Sequence, residues 1–281
     1  MMIKQFTTKQ SLIVSELVND LSKIDGVVAI ALGGSFAREK ATPSSDIDIG
    51  IYYQDASPFA TNDIRTLAEQ HNDDSNPTVT DFGGWGQWVD GGAWLRVSDQ
   101  RVDFLYRSVD TLQNWINQSK AGVIKLDYYQ QPVTGFYSYM YLAELNICIP
   151  LLDEKGHLAH LKNQVMEYPS QLKEAIIKDF SWMANFANYH AKVAAERNDL
   201  YSLVGCTHRI LACVVQIIYA QNEQYFISDK GAIAECASFE YVPDDFEARI
   251  GRILAHPSQA SFDELQEILL EVGLTNLRGK L

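Results

Sequence analysis

At 281 residues and 47% apolar content, the chain holds one large domain or two ordinary ones, with material for a sizeable core. Its formal net charge of −13 argues against a nucleic-acid polyanion as main partner, because phosphate backbones are held by basic surfaces. Cys148, Cys206, Cys213 and Cys236 lack paired metal-ligand spacing and suit a reducing cytoplasm; Met1–Phe6 has no signal-peptide apolar core, and the most apolar run, Leu211–Ala220, is too short to span a bilayer.

In chain order, Thr7 or Thr8 caps a first helix with Val14, Leu17, Val18 and Leu21 as its apolar stripe, and Gly26 stops it. Val27–Leu32 is a continuous apolar run of strand length. Gly33 and Gly34 then let the backbone turn sharply and approach a ligand. Ser35 adds a hydroxyl that can cap a short Phe36–Lys40 segment, and free N–H groups at such a turn suit a phosphate. From Asp46 to Tyr53 the pattern alternates, with Asp46, Asp48 and Gly50 on one face and Ile47, Ile49 and Ile51 on the other. Two carboxylates thus project from one strand face, about 6–7 Å apart. A cation between them offsets the cost of that repulsion, and a divalent metal carrying a phosphate is the economical choice.

Ile64–Ala68 suggests a second helix, and Asn72–Thr78 reads as a polar turn. Phe82–Gly92 sets aromatic residues among glycines: its tryptophans form either a flat wall for a base or sugar ring, or a cap on the core at a hairpin lead-in. Trp94–Val97 and Arg101–Tyr106 read as a hairpin about the turn Ser98–Gln100. Asp103 faces away from Val102, Phe104 and Tyr106. It is either a hairpin acid paired with Arg101 or Arg107, or a third site carboxylate. A helix follows near Val109–Ser119. Gly135–Ile149 then reads as helical and ends at Pro150, with Glu144 off its apolar stripe.

The domain boundary falls in Pro150–Tyr168, giving domains 1–150 and 151–281. Beyond Pro169 the spacing is helical throughout. Leu172, Ile176, Phe180 and Met183 mark one helix; Leu203, Ile210, Val214 and Ile217 a second, which Asp199 accompanies off-stripe; Phe246, Ile250 and Ile253 a third. Ser261–Glu264 is a capping box opening the last helix, with Gly273 after it. The fold class is α+β: an N-terminal α/β domain with a mixed sheet, then an all-α bundle. The six histidines read as structural.

A strand, a Gly-Gly-Ser turn at Gly33–Ser35, an Asp-x-Asp at Asp46 and Asp48 on a second strand, and a later acid at Asp103 together resemble the nucleotidyltransferase superfamily. That superfamily includes polymerase beta and the aminoglycoside and related antibiotic nucleotidyltransferases, which carry a helical C-terminal domain. The resemblance is strong over residues 27–107 and looser elsewhere. It implies attack by a substrate hydroxyl on the α-phosphorus of ATP or another nucleoside triphosphate, with two Mg2+ ions held by Asp46, Asp48 and Asp103. Gly34 and Ser35 would hold the β- and γ-phosphates, Arg38 would neutralise their charge, and Asp103 would complete the second metal or take the hydroxyl proton.

Phe226–Ala232 resembles a Ser-Lys stretch of the antibiotic-modifying relatives, which makes Lys230 a phosphate ligand, although Asp229 stands between Ser228 and Lys230. Glu144 and Asp199 are the acceptor-side candidates. The partner so implied is a small hydroxyl-bearing acceptor, with a cationic, aminoglycoside- or lincosamide-like molecule as one candidate, in the cytoplasm, with neither nucleic acid nor membrane. The alternatives are a protein AMP-transferase of antitoxin type and a non-catalytic nucleotide-binding module.

Overall fold

The structure, a computed structural model, describes residues 5–74, 76–131 and 133–274. The signal-peptide reading of Met1–Phe6 and the turn reading of Asn72–Thr78 therefore lie partly outside the described residues. Helix α1 (Thr8–Leu21) begins in a capping box. Thr7 Oγ1 accepts the Gln10 N–H at 3.2 Å, and the Gln10 side-chain oxygen accepts the Thr7 N–H at 2.9 Å. Such a cap stabilises a helix by about 1 kcal/mol. Strand β1 (Ala29–Leu32) leads through the short helix α2 (Gly34–Ala37) to β2 (Ile47–Tyr53). Gly33 is the N-cap of α2 and no side chain caps it, so Ser35 does not play the capping part that its position suggests.

Next come α3 (Thr61–His71), β3 (Thr78–Val79), the single-turn α4 (Gly86–Val89), β4 (Gly92–Val97), β5 (Gln100–Ser108) and α5 (Val109–Lys120). Strands β4 and β5 are joined by Ser98 and Asp99, both at positive φ. That is the backbone a two-residue hairpin demands, and it fixes the register of the pair. Strands β6 (Leu126–Asp127) and β7 (Phe136–Tyr137) pair with each other, and Gly135 (φ +100°) turns the chain between them. Then follow α6 (Met140–Ile147), β8 (Ile149–Leu152), α7 (His157–Gln164), α8 (Ser170–Glu196), α9 (Leu200–Gln221), α10 (Ala232–Cys236), α11 (Phe246–Ala255) and α12 (Gln259–Glu271).

The single helix expected over Gly135–Ile149 is instead strand, turn and a shorter helix. Pro150 belongs to a strand rather than ending a helix. β8 lies at the edge of its sheet, where a residue without an N–H is tolerated. The last helix opens three residues earlier than expected, with Ser258 and Ser261 as its capping pair.

The chain divides into two compact units, Met1–Asn117 with Tyr141–Glu167, and Gln118–Met140 with Tyr168–Leu281. In the first, the described residues form a six-stranded mixed sheet in the order β3-β4-β5-β2-β1-β8. β2 and β5 are parallel and the other neighbours antiparallel. One face is apolar: Ile30, Leu32, Ile47, Ile49, Ile51, Val102 and Phe104 bury against Ile13, Val14, Leu17 and Leu21 of α1 and Ile64, Leu67 and Ala68 of α3. Strand alternation puts Asp48 and Asp103 on the opposite face.

The second unit is built on α8 and α9, followed by α10, α11 and α12, so an α/β domain with a mixed sheet is followed by a helical bundle. Alanines at 184, 187, 191, 194 and 195 bury the later turns of α8, where small side chains permit close packing. Buried Arg249 of α11 is held by Glu271 at 2.7 Å, with Glu267 and Glu264 at 3.5 and 3.7 Å. Among the described residues, α9 alone is long and apolar enough to cross a membrane, a length the ten-residue run Leu211–Ala220 did not reveal. Two-thirds of its most apolar stretch is buried inside the protein, as in a core helix.

Candidate active site on the polar face of the sheet

One cross-strand row brings the sequence candidates together. Asp48 of β2 is in direct register with Asp103 of β5. The Gly33 N–H donates to the Asp48 carbonyl at 2.8 Å, tying the glycine turn to the same row. On the other side, Trp94 of β4 is the register partner of Asp103. Two carboxylates are therefore neighbours across a parallel pair, each half-buried.

Gly34 has φ +59°, and a Cβ there would collide with Asp48 Oδ2. Glycine at 34 is thus required twice, by its backbone conformation and by the aspartate lying against it. Ser35 and Arg38 follow directly, both half-buried.

Asp46 lies just before β2 and is turned to Arg101 at the start of β5, with Nε 2.5 Å from Oδ1. The Arg101 guanidinium also donates to the Ser44 carbonyl at 2.7 Å. Asp46 Oδ1 is buried and makes no hydrogen bond, so this arginine serves it as a counter-charge only. Among the described residues no group of three or more His, Cys, Asp or Glu side chains is gathered closely enough to hold a metal ion. The donor set that the row offers is nonetheless all oxygen, as hard divalent cations require. It consists of Asp48 and Asp103, while Asp46, two residues before Asp48, is held by Arg101.

Further along the same face, Arg107 of β5 makes a two-pronged pair with Glu144 of α6, at 2.8 and 2.9 Å. Burial works against its charge, but the Glu144 carboxylate outweighs that and raises the pKa of Arg107 further. Both oxygens of Glu144 are therefore engaged with the arginine. Tyr52 beside them is held well above its usual range by burial, then by Cys148.

In the second unit, Asp199 caps α9, accepting the Ser202 N–H at 3.1 Å and its hydroxyl at 2.6 Å. The interruption of the Ser-Lys stretch also has an explanation: the Asp229 carboxylate accepts the N–H groups of Val133 and Thr134 and the Thr134 hydroxyl. Lys230 is exposed, and its N–H donates to Ser228 Oγ at 3.1 Å. Sequence reasoning missed Arg101 as the partner of Asp46 and Trp94 as the neighbour of Asp103. Both depend on cross-strand register.

Compared with known protein families, residues 14–83 match the family described as "Nucleotidyltransferase domain", the stretch that holds the glycine turn and the first two aspartates. Residues 141–230 match a second family, described as a domain of unknown function (DUF4037). No curated protein matches the chain. Among solved structures, the crystal structure of a nucleotidyltransferase-like protein from Exiguobacterium sibiricum is similar at 11% identity and a TM-score of 0.44, covering 93% of this chain and 71% of that one. The match over 14–83 and the sheet that carries it define a nucleotidyltransferase-superfamily fold with a helical C-terminal part. They carry no specific link to antibiotic-modifying enzymes.

Proposed function

We propose that the protein is a metal-dependent nucleotidyltransferase that moves a nucleoside monophosphate, AMP in the first instance, from a nucleoside triphosphate to a hydroxyl of a small acceptor. The observation that carries this reading is the in-register pair Asp48 and Asp103, with Gly34 forced against Asp48. Two carboxylates in register on one strand pair are the hard oxygen donors that a divalent cation carrying a phosphate would take.

Asp46, Asp48 and Asp103 would hold Mg2+, with Asp46 released from Arg101. Bound magnesium stabilises negative charge on the attacking and leaving oxygens of such a displacement. The Gly34 N–H and Ser35 hydroxyl would hold the β- and γ-phosphates, and Arg38 would offset their charge. Asp103 would accept the proton of the attacking hydroxyl, as a positioned carboxylate does. Phosphoryl transfer is mostly positioning and electrostatics, and these residue types supply both. Four free cysteines suit a reducing cytoplasmic setting.

The test is incubation with each labelled nucleoside triphosphate, Mg2+ and a library of hydroxylated small molecules, with products read by mass spectrometry. Transfer to a small acceptor is expected. Tight nucleotide binding without transfer to any acceptor would instead mark a binding module, and transfer to protein alone would mark a protein AMP-transferase.

A further inference from the structure

Arg101 grips the segment that leads into the aspartate row. Alternation along β5 puts it on the face of Asp103, one register step behind the Asp48–Asp103 pair, where Asp46 precedes β2. Its Nε stands 2.5 Å from Asp46 Oδ1, and its Nη2 donates to the Ser44 carbonyl at 2.7 Å. The side chain of Gln100, next to it, donates to the Ser45 carbonyl at 3.0 Å. The start of β5 thus holds Ser44, Ser45 and Asp46 in succession, and Arg101 supplies the hold on the first and the last.

On its other side, the register partner of Arg101 is Arg96 of β4. Like charges directly opposite on antiparallel strands repel, which favours a guanidinium that leans away from Arg96 and toward Asp46.

The hold is nonetheless one that can open. The Arg101 side chain is 55% exposed and that of Asp46 33%, and an ion pair so open to water contributes little. Within the carboxylate, Asp46 Oδ1 is shielded from water yet accepts no hydrogen bond. The arginine therefore meets the charge of Asp46 without meeting the lone pairs of that oxygen. A hard divalent cation meets both.

We propose that Arg101 is a latch on Asp46 that makes the site take a divalent ion together with a triphosphate in preference to the bare ion. This rests on the nucleotidyltransferase reading for the ion and the nucleotide. A bare ion that takes Asp46 leaves the guanidinium without an anion, between Arg96 and the incoming charge. An ion that carries phosphates brings the anion with it, so the guanidinium exchanges a carboxylate oxygen for a phosphate oxygen, its other natural partner. The affinity for the bare ion is lowered by the fraction of chains in which the latch is closed. Arg101 is then a positioning residue, acting through Asp46.

The experiment uses the full chain, as wild type, Arg101→Gln and Arg96→Gln, with Mn2+ as the probe. Binding of Mn2+ alone is read from the electron-spin resonance of the free ion. Binding of the Mn2+ complex of a non-hydrolysable ATP analogue is measured by calorimetry. Arg101→Gln should tighten binding of Mn2+ alone about fivefold, the scale of one partly exposed ion pair. It should not tighten binding of the nucleotide complex, because the guanidinium regains an anion there. Arg96→Gln removes the same charge one strand further from Asp46 and should change the affinity for Mn2+ alone by about twofold at most.

Three results overturn the proposal. The first is an unchanged affinity for Mn2+ alone in Arg101→Gln. The second is an equal gain in Arg96→Gln, which would make the effect one of general field rather than of the latch. The third is an equal tightening of Mn2+ alone and of the nucleotide complex in Arg101→Gln. Failure of the nucleotidyltransferase reading shows differently: wild type and Arg101→Gln would then bind neither Mn2+ nor its nucleotide complex, and the latch would fall with it.

Discussion

Two ends of one sheet face group their charges differently. At the end where β5 finishes, each charge has a fixed complement. Arg107 takes both oxygens of Glu144, and Lys162 donates to the carbonyls of Leu145, Asn146 and Cys148 at 2.7, 3.0 and 2.7 Å, closing the end of α6. At the end where β2 and β5 begin, Asp48 and Asp103 stand in register with the same sign. The first arrangement serves the fold: removing Glu144 strands the buried Arg107 guanidinium. The second brings two acids into register beside the Asp46–Arg101 pair, the grouping that a cation site would need. Within one face, therefore, an ion pair lies at one end and a row of adjacent carboxylates, the proposed site, at the other.

The strongest break in this comparison comes at the matched end. Glu144→Met leaves the buried Arg107 guanidinium facing an apolar side chain and is expected to cost about 3–5 kcal/mol of stability in denaturant unfolding. The double variant Arg107→Met, Glu144→Met should regain most of it, since a volume-filling apolar pair substitutes well for a buried ion pair. A loss below about 1 kcal/mol in the single variant would place the pair among surface ion pairs and dissolve the contrast.

The like-charge end should respond in the other sense. Asp46→Asn, Asp48→Asn and Asp103→Asn are each expected to lower transfer by about a hundredfold or more, the scale of a lost catalytic carboxylate. The thermal midpoint should stay near the wild-type value for Asp48→Asn and Asp103→Asn, because the exchange is nearly isosteric and no cavity opens. In Asp103→Asn the affinity for nucleotide should change little, since its role lies in the transition state. Near-native turnover by Asp48→Asn at saturating Mg2+ would remove the catalytic assignment.

The smallest effect sharpens the comparison by separating location from pairing. Asp73 sits beside the β4–β5 turn, at the same end as the site, but its two oxygens accept the N–H groups of Ser98 and Asp99 at 2.7 Å each. The Asp99 N–H first, and the Ser98 N–H after it, hold this carboxyl below its usual pKa. A carboxyl lower in the folded than in the unfolded chain stabilises fully above the ordinary carboxylate range and loses that contribution as pH falls through the folded value. Asp73→Asn should therefore flatten the acid side of the stability curve without touching transfer. An unchanged curve would mean that these two bonds do not distinguish the folded from the unfolded chain.

Much of this was legible in the sequence because strand alternation is strict. The parity of Ile47, Ile49 and Ile51 against Asp48, and of Val102, Phe104 and Tyr106 against Asp103, decides which face each occupies, and the burial pattern agrees. The helices after Pro169 were legible through their apolar period. Ile149–Leu152 was not, since Pro150 reads as a helix stop unless the strand is known to lie at an edge. Nor were the neighbours of the aspartates. Whether Asp103 meets Trp94 depends on a two-residue turn at Ser98 and Asp99 where the sequence reads Ser98–Gln100, and whether Asp46 meets Arg101 depends on the long-range pairing of β2 with β5.

The parallel pairing of β2 with β5 has a consequence in time. Asp48 and Asp103 become neighbours only when these two strands join, with α3, β3, α4 and β4 lying between them in the chain. Helices and the β4–β5 hairpin form from local contacts, whereas a parallel pair closes a long loop first and is repaid afterwards. During refolding, helical signal should therefore return before nucleotide affinity does. The site is assembled by one of the slowest contacts in the sheet, so a chain that has regained its helices is still without the two adjacent carboxylates.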